Sequence, residues 1–147
     1  FLNKDDHQEI KTKMNHLAPN CKSYQRVKNV LNSDGKGVYQ GKIYVKDIAQ
    51  KTDAYQLSKA MILSDNSEFD SKPELEIYAD DVKCSHGSTS GSVDEDAIHY
   101  LMTRGLDKKE STKLLINGFL NEVIEMIKSN SVRNFVQGKL KEQIHGY

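Results

Sequence analysis

No stretch of this sequence approaches the roughly 18 consecutive apolar residues that a spanning helix requires, so no membrane segment is expected. No charge of one sign dominates, since 21 Lys and Arg stand against 21 Asp and Glu. That balance supplies no global field for nucleic acid or an anionic membrane, and neither partner is expected. Cysteine is scarce. Cys21 and Cys84 cannot form the disulfide framework of a small secreted scaffold, which points to a reducing compartment. The opening "FLNKDDHQEIKTK" turns polar after Leu2 and carries no visible signal peptide. The first residue is Phe1 rather than Met, so a piece of a longer protein is expected. Phosphate-cradling loops are missing too. "SDGKG" at 33–37 and "HGSTSG" at 86–91 match neither GxxxxGK(S/T) nor a GxGxxG turn between strand and helix. The first is expected to be a turn, the second a flexible link between two halves of the chain.

What is present divides in two. The 147 residues amount to about one domain, with 37% hydrophobic and 29% charged residues: wetter than average, yet not disordered in composition. Residues 8–90 read as short strands: "EIKTKMNHL", "SYQRVKNVL", "VYQGKIYVKDI", "AYQLSKAMIL" and "PELEIYA". Ile43 and Val45 share one face, and Leu75 and Ile77 alternate with Glu74, Glu76 and Tyr78. Asn, Asp, Ser and Gly collect between the runs, as turns require. Such strands fit a sandwich, a barrel or a stacked β-solenoid. With no clean sequence repeat, periodicity leaves all three open.

From residue 92 the period changes. Ser92 and Glu95 have the spacing of a capping box, and Asp94, Glu95 and Asp96 suit the first turn of a helix. Gly105 after Arg104 reads as its stop. A second helix starts with Asp107 and Glu110 at the same spacing. Its apolar face is Leu115, Ile116, Phe119, Leu120, Val123, Ile124 and Ile127. In a third, Val132, Val136, Leu140 and Ile144 recur every fourth residue. The three helices are expected to cluster against the strands or against a partner.

The chemistry-bearing residues concentrate in "DVKCSHGST". Cys84 and His86 are two apart, so on extended backbone both point to one side. Thiolate and imidazole suit zinc or iron, but a closed structural zinc site needs four ligands. Asp80, Asp81 or another chain would have to complete it. As nucleophile and base the pair is badly spaced, because same-face neighbours on a strand lie roughly 6 to 7 Å apart. A third reading makes Cys84 core filling alongside Val82, with His86 capping the strand end. His99 reads as a packed or half-exposed helix residue, and the carboxylates at 94–96 as a helix start.

The longer stretch "SKPELEIYADDVKCSHGSTSGSVDEDAIHYLMTRGL" closely resembles the C-terminal part of SufD-type members of the SufB/SufD family, the scaffolds of the Suf iron–sulfur cluster assembly machinery. "GKGVYQGKIYV", "KTDAYQLSKAMILSD" and "ESTKLLINGFLNEVI" extend the likeness over nearly the whole chain. The resemblance implies a mainly β fold with α: the end of a right-handed parallel β-helix over 1–91, then a small helical domain over 92–147. It implies a non-enzymatic scaffold that pairs with a SufB-type scaffold and docks a SufC-type ATPase, with a homodimer as a further possibility. His86 matches the family histidine that faces an essential cysteine of the SufB-type partner. It is the expected ligand for iron or a cluster intermediate, while Cys84 is auxiliary or core. ATPase docking is expected between Asp94 and Phe119, with Asp94, Tyr100, Arg104, Gly105 and Phe119 as candidate contacts. No tightly bound cofactor is expected; iron or a cluster would pass transiently through the full complex. The compartment implied is the bacterial cytoplasm, or an organellar stroma or matrix. Two other readings stay open: a docking module without metal contact, and a cysteine-dependent enzyme.

Overall fold

The computed structural model describes residues 1–145. Six strands of ten residues come first: β1 (His7–His16), β2 (Lys22–Leu31), β3 (Lys36–Val45), β4 (Asp53–Ile62), β5 (Glu68–Ile77) and β6 (Lys83–Ser92). They form two three-stranded sheets, ordered β1-β3-β5 and β2-β4-β6, and every pairing is parallel. The chain therefore alternates between sheets, and each odd–even strand pair makes one layer of a stack. That connectivity removes the sandwich and the barrel and leaves a β-helix-like coil. The corners stack as well. The Asn20 N–H donates to the Gln50 carbonyl at 2.9 Å, and the Lys51 N–H to the Asp81 carbonyl at 2.6 Å.

Alternation sets what lies inside. The inner row of β3 holds Tyr39, Ile43 and Val45, all fully buried, and that of β4 holds Ala54, Gln56, Ser58 and Ala60. At one end of the interior, Ile43, Val45, Ala49, Ala54 and Ala79 form an apolar cluster with Leu75, Val82 and Cys84 against it. At the other end, Leu2, Leu31 and Ala60 pack with Ile62 and Phe69. Between them lies a polar layer of Tyr39, Gln56 and Ser58.

His16, at the end of β1, is only 3% exposed, and its Nε2 lies 2.9 Å from the Ser23 hydroxyl. Burial holds its pKa below the ordinary 6.5. The unfolded chain then binds the proton more readily than the folded one. His16 thus costs nothing above its unfolded value and destabilises as pH falls below it toward the folded value. Thermal melts are expected to drop between about pH 7 and pH 5, and His16→Gln is expected to flatten that part of the profile. An equally steep drop in the variant would remove His16 from this role.

Three helices follow: α1 (Glu95–Thr103), α2 (Lys108–Ile124) and α3 (Asn130–His145). Asp107 and Glu110 close the expected capping box of α2. α1 ends as expected at Gly105, whose φ of 98° is left-handed. The Gly105 and Leu106 N–H groups donate back to the Met102 and Leu101 carbonyls. The start of α1 departs from expectation. Ser92 is the last residue of β6, paired with Ile62, and the cap is Asp94, whose Oδ1 accepts the Ala97 N–H at 3.0 Å. Residues 86–91, expected as a flexible link, are likewise strand, because β4 offers them a full parallel ladder.

The helices pack on the outer face of β2 and β4 near the C-terminal ends of these strands. Ile116, Leu120 and Ile144 are buried with Val30, and Phe1, Met61, Phe119 and Leu140 pack around them. Lys28 pins this contact. Its side chain is 4% exposed, its Nζ donates to the Phe119 carbonyl at 2.7 Å and to Glu122, and it sits 4.2 Å from the centroid of the Phe119 ring.

Candidate functional site at an open coil edge

β6 closes the sequence β2-β4-β6, so among the described residues no strand pairs with its outer edge. Cys84 and His86 stand on its inner row, in register with Ala54 and Gln56 of β4. Shared orientation does not give them a shared environment. Cys84 is half-buried and packs with Val82 against the apolar cluster, as the core reading holds. Burial pushes its thiol pKa up and the charge of Asp53 adds to this, while the Ala54 N–H works the other way. A protonated, shielded thiol is a poor nucleophile. Alkylation of Cys84 at pH 8 is expected to be slower than that of a free thiol. Faster modification would revive the enzyme reading.

His86 is exposed and lies within the strand, so it does not cap a strand end. The residues above Gln56, Ser58 and Ala60 are His86, Ser88 and Ser90: an inner row with no apolar side chain, at the point where no further described strand covers it. Among the described residues, no three His, Cys, Asp or Glu side chains gather into a ligand set, so Asp80 and Asp81 do not join the pair.

The candidate docking residues fall in two places. Asp94, Tyr100, Arg104 and Gly105 are exposed on α1 and at its ends. The Arg104 Nη2 donates to the Tyr100 hydroxyl at 3.1 Å, with the guanidinium 5.1 Å from the ring centroid. Phe119 lies apart on α2, half-buried under Lys28. His99 is exposed on α1 rather than packed.

Sequence reasoning missed Gln25 and Gln56. A signal existed: "SYQ" at 23–25 and "AYQ" at 54–56 are a local echo, and their residues pair one to one across β2 and β4. Tyr24 and Tyr55 meet on the outer face, with ring centroids 6.3 Å apart. The two glutamines point inward beneath His86.

Residues 1–119 match the family described as SUF system FeS cluster assembly, SufBD core domain. The chain is 33% identical over 138 residues to the iron-sulfur cluster assembly protein SufD of Escherichia coli, covering 94% of this chain and 33% of that protein. An iron-sulfur cluster assembly SufBD family protein of Synechocystis is 36% identical over 138 residues, covering 94% of this chain and 29% of its own length. The chloroplastic protein ABCI7 of Arabidopsis thaliana is 37% identical over 112 residues, covering 76% of this chain and 24% of its own. The chain thus spans at most about a third of these relatives. With a core-domain match over most of its length and a SufD among its relatives, the chain belongs to the SufBD family of the SUF system and is of the SufD type.

Proposed function

We propose that this chain acts in iron–sulfur cluster assembly as a non-enzymatic scaffold whose open coil edge meets a SufB-type scaffold and whose helices dock a SufC-type ATPase. The coil would be right-handed, as in the family it resembles. The compartment would be the cytoplasm of a bacterium or the stroma of a plastid. One observation carries the reading: an exposed imidazole, His86, stands on a strand edge without a strand partner among the described residues. An imidazole there offers a nitrogen to iron or to a nascent cluster held partly by another chain. The iron is cargo in this reading. Cys84, half-buried two residues earlier on the same strand, contributes packing against the apolar cluster.

The test is co-purification of the chain with its paired scaffold and ATPase, with bound iron counted for wild type and His86→Ala. Iron that falls in the variant while the complex stays assembled supports the reading. Equal iron in both leaves a docking module with no metal contact.

A further inference from the structure

The two outer faces of the coil treat their cations differently. On the β1-β3-β5 sheet, Lys11 pairs with Glu9, Lys36 with Glu68, Lys42 with Glu74 and Glu76, and Lys72 with Glu74. On the β2-β4-β6 sheet, Lys28 is taken by Glu122 of α2, and Lys59 and Arg26 act on that carboxylate only at longer range. Among the described residues, Lys22, Arg26, Lys59 and Lys83 of its outer rows make no ion pair. Lys22, Asp53 and Lys83 stand in line across the three strands. With Lys51 at the corner before β4, the two flanking lysines line a cavity of about 360 Å³ whose carboxylates are Asp53 and Asp81. Lys22, Arg26, Lys51, Lys59 and Lys83 thus face Asp53 and Asp81, in a chain whose total charge is balanced. Beside the cavity the face is aromatic. Tyr24 is 61% exposed, with its ring centroid 6.3 Å from that of Tyr55. Gly87 of β6 adds no side chain there; a Cβ would come within 3.2 Å of Leu57 Cδ1 and 3.8 Å of the Tyr55 hydroxyl.

We propose that this face docks an acidic protein segment, whose carboxylates meet Lys22, Lys51 and Lys83 and whose apolar or aromatic side chain rests on Tyr24 and Tyr55. The charge argues for an acidic partner. Unpaired cations gathered on one side of a neutral chain set up a local positive field, which steers and orients a complementary surface. The rings argue for a protein. Exposed tyrosine beside arginine is the composition of interface anchors, because each brings a large contact area with a polar end. Asp53 argues against a nucleic acid. It stands in line between Lys22 and Lys83, so an evenly charged phosphate track meets a carboxylate there, whereas separate side-chain carboxylates reach each lysine around it. The surface lies on the outer rows and His86 on an inner one, so the proposal does not rest on the ligand reading of His86.

The test titrates this nitrogen-15-labelled chain with a short peptide of alternating Glu and Ser around one central Phe. Saturable amide shifts are expected around Lys22, Tyr24, Tyr55 and Lys83, with an affinity that falls as salt is raised. Lys22→Glu combined with Lys83→Glu is expected to weaken binding at least about tenfold, and Tyr24→Ala about fivefold. All three side chains are exposed, so the variants are expected to fold. Lys72→Glu on the opposite face is expected to leave the affinity unchanged. A peptide with Gln in place of Glu, and an oligodeoxythymidine of equal charge, are expected to bind more weakly than the acidic peptide. No saturable binding overturns the proposal. So do shifts centred on the β1-β3-β5 face or on the edge of β6, an unchanged affinity in the doubly reversed variant, and tighter binding of the oligonucleotide than of the peptide.

Discussion

Replacing His86 with alanine is expected to leave the melting transition of this chain unchanged and to lower cluster formation by the assembled complex at least about tenfold. The first half follows from where the side chain sits. His86 is exposed on an edge strand and belongs to neither apolar cluster of the coil interior. Its removal should therefore stay within about 0.5 kcal/mol of wild type. The second half follows from chemistry, because no other exposed nitrogen or sulfur ligand shares its row. Cys84 lies two positions away but packs downward, and its thiol is held protonated. Cys84→Ala is the matched control. It is expected to keep cluster formation while losing some stability, since its side chain touches the apolar cluster. A collapse of activity in Cys84→Ala with His86→Ala unaffected would reverse the assignment.

Replacing Gly41 with alanine is expected to destabilise the fold by about 2 kcal/mol. The new Cβ would stand 2.4 Å from Gln56 Nε2, 2.5 Å from the Tyr39 hydroxyl and 2.6 Å from Gln56 Cδ. These atoms end side chains that are themselves fully enclosed, so neither can swing away. Moving Gln56 also breaks its bond to the Gly41 carbonyl. Gly118 is the contrast. It lies within α2, and a Cβ added there would meet nothing within 4 Å. Gly118→Ala is expected to stabilise by up to about 1 kcal/mol through helix propensity. Chemical denaturation of both variants checks the pair. A neutral Gly41→Ala would mean that the polar layer is looser than its burial implies.

The middle layer of the coil was legible in the sequence because its inner and outer rows differ in polarity. "VYQGKIYV" alternates buried Tyr39, Ile43 and Val45 with half-exposed neighbours. The last layer was not legible. The inner row of β6 beyond Cys84 is imidazole and hydroxyl, since nothing apolar lies above it to be matched among the described residues. A strand with one uncovered end looks like a linker. Ser92 shows the same ambiguity at finer scale, because Ser-x-x-Glu is a capping signature that here merely overlaps a strand end. Asp107 and Glu110 have the same spacing and do form the box. Gln56 escaped because a buried amide interrupts the very alternation that identifies a strand. For the candidate site, spacing gave the shared face of Cys84 and His86. It did not give their different exposure, which depends on β6 being the last strand of its sheet.

The central claim is that His86 ligates the cargo, and hyperfine spectroscopy reads it directly. The assembled complex would be loaded with iron, with nitrogen-15 histidine in this chain alone. A nitrogen coupling to the iron that is present in the wild type and lost in His86→Ala is the result expected. A loaded complex with no such coupling in the wild type, or with the coupling unchanged in the variant, would contradict it.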